Sequence, residues 1–444
     1  MLIRENRAVP PGRSTTAYRA VSLPPDMDQA LLFFTSRAPE RLPKPAAWPD
    51  VAESSIRFAQ QTLMMPDMPQ LPAVSNLQLV DFDGDKRLDV IGTDMRQGFV
   101  FTGHPDKAGS GLSIIANIAH PAHVTLTDAD RDGIQDLLVA DLGEFLPADH
   151  AKGAVIWLRG QGSGKFVTLA LDGWPRVADV EAADFNGDGR NEFAVAAFGW
   201  RKTGRISLLE NRTVSLSEPT LIDHIVDARP GSIHIVPADL NQDGKMDFVT
   251  LLAQEHETVL AYINKGAGDF SFDRKVIYAA PHPNWGSSGI QLIDLDKDRD
   301  LDVLLTHGDT FDDQMVKPYH GIQWLENTGG YPFVEHALAQ MPGVHRAQAA
   351  DLDRDGDLDI VACALLGGGS DVDEKTLPAV VWLEQTKPGI FVRHTIELGV
   401  PRHATLDAGD VDGDGDIDIV VGNMSIDRPS SAWVDVWVNQ GHTR

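Results

Sequence analysis

From Ala350 to Val361 the chain reads "ADLDRDGDLDIV", with aspartate at every second position from Asp351 to Asp359 and an apolar tail behind it. A period of two places alternate side chains on one side of an extended chain, so the pattern predicts a turn between strands and not a helix face. The same pattern recurs seven times, its first aspartate at Asp81, Asp128, Asp184, Asp239, Asp294, Asp351 and Asp410. The cores read DFDGDKRLD, DADRDGIQD, DFNGDGRNE, DLNQDGKMD, DLDKDRDLD, DLDRDGDLD and DVDGDGDID. Alternating apolar and polar residues lead into each core, and a nearly unbroken apolar run such as "LDVIG" or "LDIVVG" follows. A third apolar stretch comes next ("VIWLRG", "IQWLENTGG", "VVWLEQT", "VWVNQG"), then a Gly-rich turn and a fourth stretch such as "YPFVEHALA". Four short strands per unit of about 55 residues, seven times over, predict an all-β fold, a seven-bladed β-propeller of four-stranded blades. A helical solenoid would need a 3.6-residue period instead.

The seventh unit ends at "VNQGHTR" without a fourth strand, whereas "SIRFAQQTLMMPDMP" (55–69) precedes the first unit and aligns with a fourth strand. The expectation is that this N-terminal strand completes the last blade and closes the ring. Residues 1–54 then form a Pro-rich lead segment with one short helix, "DMDQALLFF", and residues 55–444 form the propeller. Counting back from each first aspartate, positions −2 and −4 are apolar or small and should face the neighbouring blades. Positions −3 (Gln78, Thr125, Glu181, Val236, Gln291, Gln348, Asp407) and −5 (Asn76, His123, Asp179, His234, Gly289, Arg346, Thr405) should line the central channel.

Dense like charges need a counter-ion. Oxygen donors at turn positions 1, 3, 5 and 9, with the backbone carbonyl at 7, make a calcium site. The side-chain ligands are Asp81, Asp83, Asp85 and Asp89 in the first repeat, and Asp128, Asp130, Asp132 and Asp136 in the second. The third supplies Asp184, Asn186, Asp188 and Glu192, and the fourth Asp239, Asn241, Asp243 and Asp247. Asp294, Asp296, Asp298 and Asp302, then Asp351, Asp353, Asp355 and Asp359, then Asp410, Asp412, Asp414 and Asp418 complete the set. Glycine at position 6 suits a left-handed turn, and Lys86 and Arg299 depart from it. An EF-hand is excluded because position 12 is never Glu and strands flank every turn. The net charge of −27 excludes a nucleic-acid footprint. Up to seven Ca²⁺ would bring it to −13. The single Cys363 excludes an intramolecular disulfide and lies in an apolar run, as a buried small hydrophobe would. No apolar stretch is long enough for a membrane span, and no signal peptide is visible at the N-terminus.

On these turns the chain resembles the FG-GAP/VCBS repeat class, as in integrin α-subunit propellers and exported bacterial proteins. The Phe-Gly…Gly-Ala-Pro signature is mostly missing, so the VCBS-type variant is closer. The resemblance implies that the calcium turns are structural and that ligands bind the opposite face. The class spans adhesion domains, lectins and some polysaccharide lyases, so it implies a scaffold and not a task.

The loops between second and third strands, and the approaches to the first strands, share the face opposite the acidic turns. That face gathers His123, Arg229, His234, His282, Trp285, His307, Asp309, His345, Arg402 and His403 as candidate ligand-binding residues. Imidazole and cationic groups on one face of so acidic a protein suit an anionic or polyhydroxylated ligand. The expected function is a calcium-stabilised exported propeller that binds a carbohydrate, anionic glycan first, or a protein partner. The alternative is a polysaccharide lyase with His256 or His320 as base, Tyr319 as proton donor and Arg346 or Lys317 neutralising the developing anion. A transition metal among His256, His307, His320 and His345 is a weaker variant, since no H-x₃-H spacing supports it. Sites of this kind need more calcium than cytosol offers, which points to a periplasmic or extracellular location; the chain is expected to be a monomer.

Overall fold

The computed structural model describes residues 25–36, 54–68, 71–106, 111–214, 219–266, 268–311, 314–367, 373–426 and 429–442. Seven four-stranded antiparallel sheets form seven blades. In the first blade β2 (Val74–Val80) is innermost, followed outward by β3 (Asp89–Asp94), β4 (Phe99–Gly103) and β5 (Ser113–Asn117). The innermost strands of blades two to six are β6 (Pro121–Thr127), β10 (Val177–Ala183), β14 (Ser232–Ala238), β18 (Ser287–Ile293) and β22 (Val344–Ala350). Blade seven holds β26 (His403–Gly409), β27 (Asp418–Asn423) and β28 (Val434–His442), and the N-terminal β1 (Ile56–Leu63) adds its fourth strand. The register runs from Ile56 opposite His442 to Leu63 opposite Val434. The ring closes where β2 packs on β26 as well as on β6. Helix α1 (Pro25–Thr35) covers the predicted "DMDQALLFF", while the rest of the lead segment before Ser54 lies outside the described residues.

The apolar runs behind each acidic turn become strands buried on both faces: all six residues of β3 and of β27 are buried. The cause is stacking, because each blade is sandwiched between two others. The buried apolar residues accordingly form seven major cores, each shared by two neighbouring blades. Phe99, Phe101, Trp433 and Val436 join blades one and seven, for example, and Cys363, Trp382, Ile419 and Val421 join six and seven. Cys363 is wholly buried there.

One regularity has no counterpart in the apolar pattern. In all seven blades the pairing of first and second strands slips by one residue just before position −5: at Val74/Asn76, Pro121/His123, Val177/Asp179, Ser232/His234, Ser287/Gly289, Val344/Arg346 and His403/Thr405. A bulge inserts an unpaired residue and re-aims the side chains beside it. Seven bulges therefore surround the channel at the end away from the acidic turns.

Candidate functional site

The acidic turns share one hydrogen-bond plan. The side-chain oxygen of position 3 accepts the N–H of position 5 at 2.8–3.2 Å in all seven turns. Position 5 accepts from position 7 at 2.8–3.0 Å. Oδ2 of position 1 accepts from position 6 in six of them. Position 9 is nearly or wholly buried, and it accepts the N–H of position 2 at 2.9–3.2 Å. Outside repeat one, where Asp89 Oδ1 faces His104, its second oxygen takes an N–H from the third strand or its end, as Asp359 does from Gln385 and Asp418 from Asn439. Position 9 is thus a strut between turn and sheet. In repeats one and two it also stays within 4.8 Å of the position-3 carboxylate.

Calcium fits what remains. One oxygen each of Asp81, Asp83 and Asp85, of Asp128, Asp130 and Asp136, and of Asp294, Asp296 and Asp298 converge within 4.8 Å. Oδ1 of Asp81, Asp294 and Asp351 is buried without a hydrogen-bond partner. Buried, unpaired carboxylate oxygens suit a hard cation that takes six to eight oxygens. Burial also raises the carboxyls of Asp359 to about 7 and of Asp302 and Asp418 to about 6.

The plan demands two left-handed residues per turn. Position 6 has φ from 71° to 96° in all seven, and position 4 from 57° to 81°. Lys86 (φ 71°) and Arg299 (φ 82°) therefore hold the glycine conformation without glycine. A side chain there costs about 1 kcal/mol. Arg299→Gly is expected to raise stability by roughly that amount, read as a higher urea midpoint with unchanged m.

Two kinds of turn emerge. In repeats one to four a basic side chain pairs with the position-5 carboxylate: Arg87 with Asp85 (3.1 Å), Arg159 with Asp132 (3.3 Å), Arg190 with Asp188 (2.8 Å) and Lys245 with Asp243 (2.8 Å). In repeats five to seven position 7 is itself aspartate, and it receives the position-4 side chain of the preceding turn. Gln242 donates to Asp300 (3.1 Å), Lys297 lies 3.6 Å from Asp357, and Arg354 lies 3.0 Å from Asp416. These arms also reach the next turn's position-6 carbonyl. Turns four to seven are thereby linked hand to hand.

On the opposite face the candidate residues separate into groups. The first lies in blade five. Trp285 stacks on Tyr319 (4.7 Å, 2°) and on His307 (4.8 Å, 27°), and His282 meets both Trp285 and Tyr319 edge-on. The Tyr319 hydroxyl donates to the Asn284 carbonyl at 2.8 Å, which fixes the ring. His320 is 1% exposed with neither ring nitrogen hydrogen-bonded, and His307 is buried with Nδ1 unpaired. Burial holds both imidazoles down at about 3, helped at His320 by Lys317 and His307. Asp309 caps its own loop by accepting the Phe311 N–H.

The second group lines the channel, as positions −3 and −5 predict. His123, Asp179, Glu181, His234 and Arg346 meet there, beside His345 on its bulge. Several of these side chains brace neighbouring blades: Arg346 donates to the Ile290 carbonyl (3.1 Å), and Asp179 accepts the Ile235 N–H (3.1 Å). Arg346 thus stands among channel residues, apart from the Tyr319, Lys317 and His320 loop, while His256 sits on the blade-four turn. The remaining candidates are tied down locally. Arg229 chelates Asp227 (2.6 Å), Arg402 bonds Asn423 (3.1 Å), and His403, 0% exposed, pairs with Glu397 (2.5 Å). These three lie where intramolecular partners already claim them.

Glu257, on the blade-four loop of the same face, supports the blade-five group. Its Oε2 accepts the Ser287 N–H at 2.9 Å, two residues from Trp285. Burial raises its carboxyl from 4.5 to about 7, against the pull of that hydrogen bond. A carboxyl raised on folding contributes stability that is complete below pH 4.5 and is lost as pH rises through 7. Glu257→Gln keeps an acceptor without the charge. It is expected to melt above the parent at pH 8, by an amount on the order of 2 kcal/mol, with the gap closing by pH 5.

Residues 81–139, 184–250 and 239–305 match the FG-GAP-like repeat. Each match runs from one acidic turn to the strand beyond the next, so the sequence repeat straddles two blades. No curated protein matches the chain. Among solved structures, BBS1N in complex with ARL6DN, from a lead-soaked crystal, is 11% identical with a TM-score of 0.51, covering 87% of this chain and 98% of its own. The mercury-soaked form of that complex gives 12% and 0.50 over the same shares. Virginiamycin B lyase from Staphylococcus aureus is 13% identical with a TM-score of 0.50, covering 86% of this chain and 99% of its own. At such identities the likeness is one of fold.

Proposed function

Taking the chain as a seven-bladed β-propeller that carries FG-GAP-like repeats, we propose that calcium neutralises its acidic turns and that the opposite face binds a carbohydrate, anionic glycan first, or a protein partner. The blade-five stack carries this reading. Its outer members, Tyr319, Trp285 and His282, are partly or fully exposed, while His307 and His320 support them from below. A rigid aromatic platform beside the exposed His282 imidazole matches the apolar face and hydroxyl rim of a sugar ring, and Lys317, buried nearby, adds positive potential for an acid group. The BBS1N–ARL6DN complex keeps protein among the ligands a propeller of this fold engages. The lyase reading is the weaker one, because an imidazole held near 3 is a poor base at neutral pH. Calcium dependence favours an exported setting.

The test is retention of the calcium-loaded protein on an array of acidic polysaccharides, with unsaturated product followed by ultraviolet absorbance. The expected result is binding without product, reduced at least tenfold by Tyr319→Ala. Product formation that disappears in His320→Ala would favour the lyase. Retention by neither glycan nor protein arrays would overturn the reading.

A further inference from the structure

We propose that the channel holds a site for one divalent transition-metal ion, zinc or manganese, ligated by His123, Asp179 and Glu181 with His234 as a fourth donor. The donors come from three adjacent innermost strands, β6, β10 and β14, at positions −5 and −3. One nitrogen of His123 and one oxygen each of Asp179 and Glu181 lie within 4.8 Å of one another. The seven bulges make this convergence possible, since each re-aims its −5 side chain at the axis.

The hydrogen bonds around these side chains leave one buried carboxylate oxygen over. His123 Nδ1 and Asp179 Oδ1 stand 2.8 Å apart, yet Oδ1 has no aligned donor, and Asp179 is 2% exposed. His234 Nδ1 lies 3.5 Å from Asp179 Oδ2, the oxygen that already accepts the Ile235 N–H. Asp179 Oδ2 accepts the Ile235 N–H and Glu181 Oε1 accepts from the Thr125 hydroxyl, so the buried Asp179 Oδ1, facing His123, is the oxygen left without a donor. Charge agrees with this arrangement. Asp179, Glu181 and Asp407 all act on Arg346, so carboxyl groups outnumber that guanidinium at the axis, which favours a bound cation. Two imidazoles with two carboxylates suit zinc or manganese, and calcium prefers oxygen alone. The site therefore differs in chemistry from the acidic turns and stands on separate residues. It also stands apart from His307 and His320 in blade five.

The experiment uses the full chain, stripped with chelator, dialysed, reloaded with excess calcium, and titrated with zinc or manganese by calorimetry. Cobalt in place of zinc gives visible absorption bands that report nitrogen ligation. One saturable site per chain is expected in the presence of calcium. Its affinity should fall at least a hundredfold in His123→Ala and at least tenfold in His234→Ala, with calcium content and far-ultraviolet circular dichroism unchanged. His320→Ala should leave it intact. Absence of a calcium-resistant site in the parent, or a site indifferent to both His123→Ala and His234→Ala, would overturn the proposal. So would a site lost in His320→Ala alone.

Discussion

Removing calcium with EGTA is expected to lower the melting temperature by about 10 °C or more and to raise the urea sensitivity of every blade together. An ion bound at a hundred times its dissociation constant stabilises the folded state by about 2.7 kcal/mol per site. Three occupied turns would then supply about 8 kcal/mol, comparable with the whole stability of many domains. The loss should be steepest through repeats five to seven. There position 7 is aspartate and adds a further negative charge to the turn, whereas Asp132, Asp188 and Asp243 each pair with a basic side chain. Asp353→Asn and Asp412→Asn should mimic part of the effect, while Asp132→Asn, beside Arg159, should do less. Magnesium should restore little, because it demands six near-octahedral ligands at shorter distance. Differential scanning calorimetry in calcium, EGTA and magnesium reads all of these at once.

Deleting residues 1–66 is expected to drive the chain into aggregate or into oligomers joined through blade seven. The deletion removes β1 and with it Ile56, buried in the core between blades six and seven, and Leu63 and Met65, buried in the core between blades seven and one. Each such side chain contributes about 1.5–3 kcal/mol on burial. The deletion also leaves β28 as an open edge with unpaired backbone groups, the usual template for intermolecular pairing. A peptide spanning residues 54–68 supplied in trans should recover part of the soluble monomer. Size-exclusion chromatography with light scattering measures both. A truncated chain that stays monomeric with an unchanged melting temperature would show that ring closure does not rest on this strand.

Much of this was legible because it repeats. Seven acidic turns at one spacing fix the number of blades, and period two separates the residues that face neighbouring blades from those that face the channel. Leu77, Val124, Val180 and Ile235 are buried at −4, as that rule requires. What escaped sequence reasoning depends on contacts between blades. His403 resembles Arg402 as a mouth residue until Glu397 on the neighbouring sheet is seen to claim it. The bulges that aim His123 and Asp179 inward leave no mark in hydropathy.

The links between turns did leave one. Gln242, Lys297 and Arg354 at position 4 are each followed, one repeat later, by aspartate at position 7, whereas Gly84, Gly187 and Gly413 are followed by Ile134, Lys245 and Arg87. The calcium pattern uses only the backbone carbonyl of position 7, which leaves its side chain free to carry the link. Left-handed position 4 was hidden for a related reason. Glycine occupies it in only three repeats, and the others use Arg131, Gln242, Lys297 and Arg354.

The most direct measurement is calcium stoichiometry by elemental analysis after extensive dialysis against calcium-containing buffer, paired with a melt of the same sample before and after chelation. The account predicts several calcium ions per chain, at least the three of repeats five to seven, and a melting temperature that falls when they are stripped. A protein that carries no calcium and melts identically in chelator would contradict it.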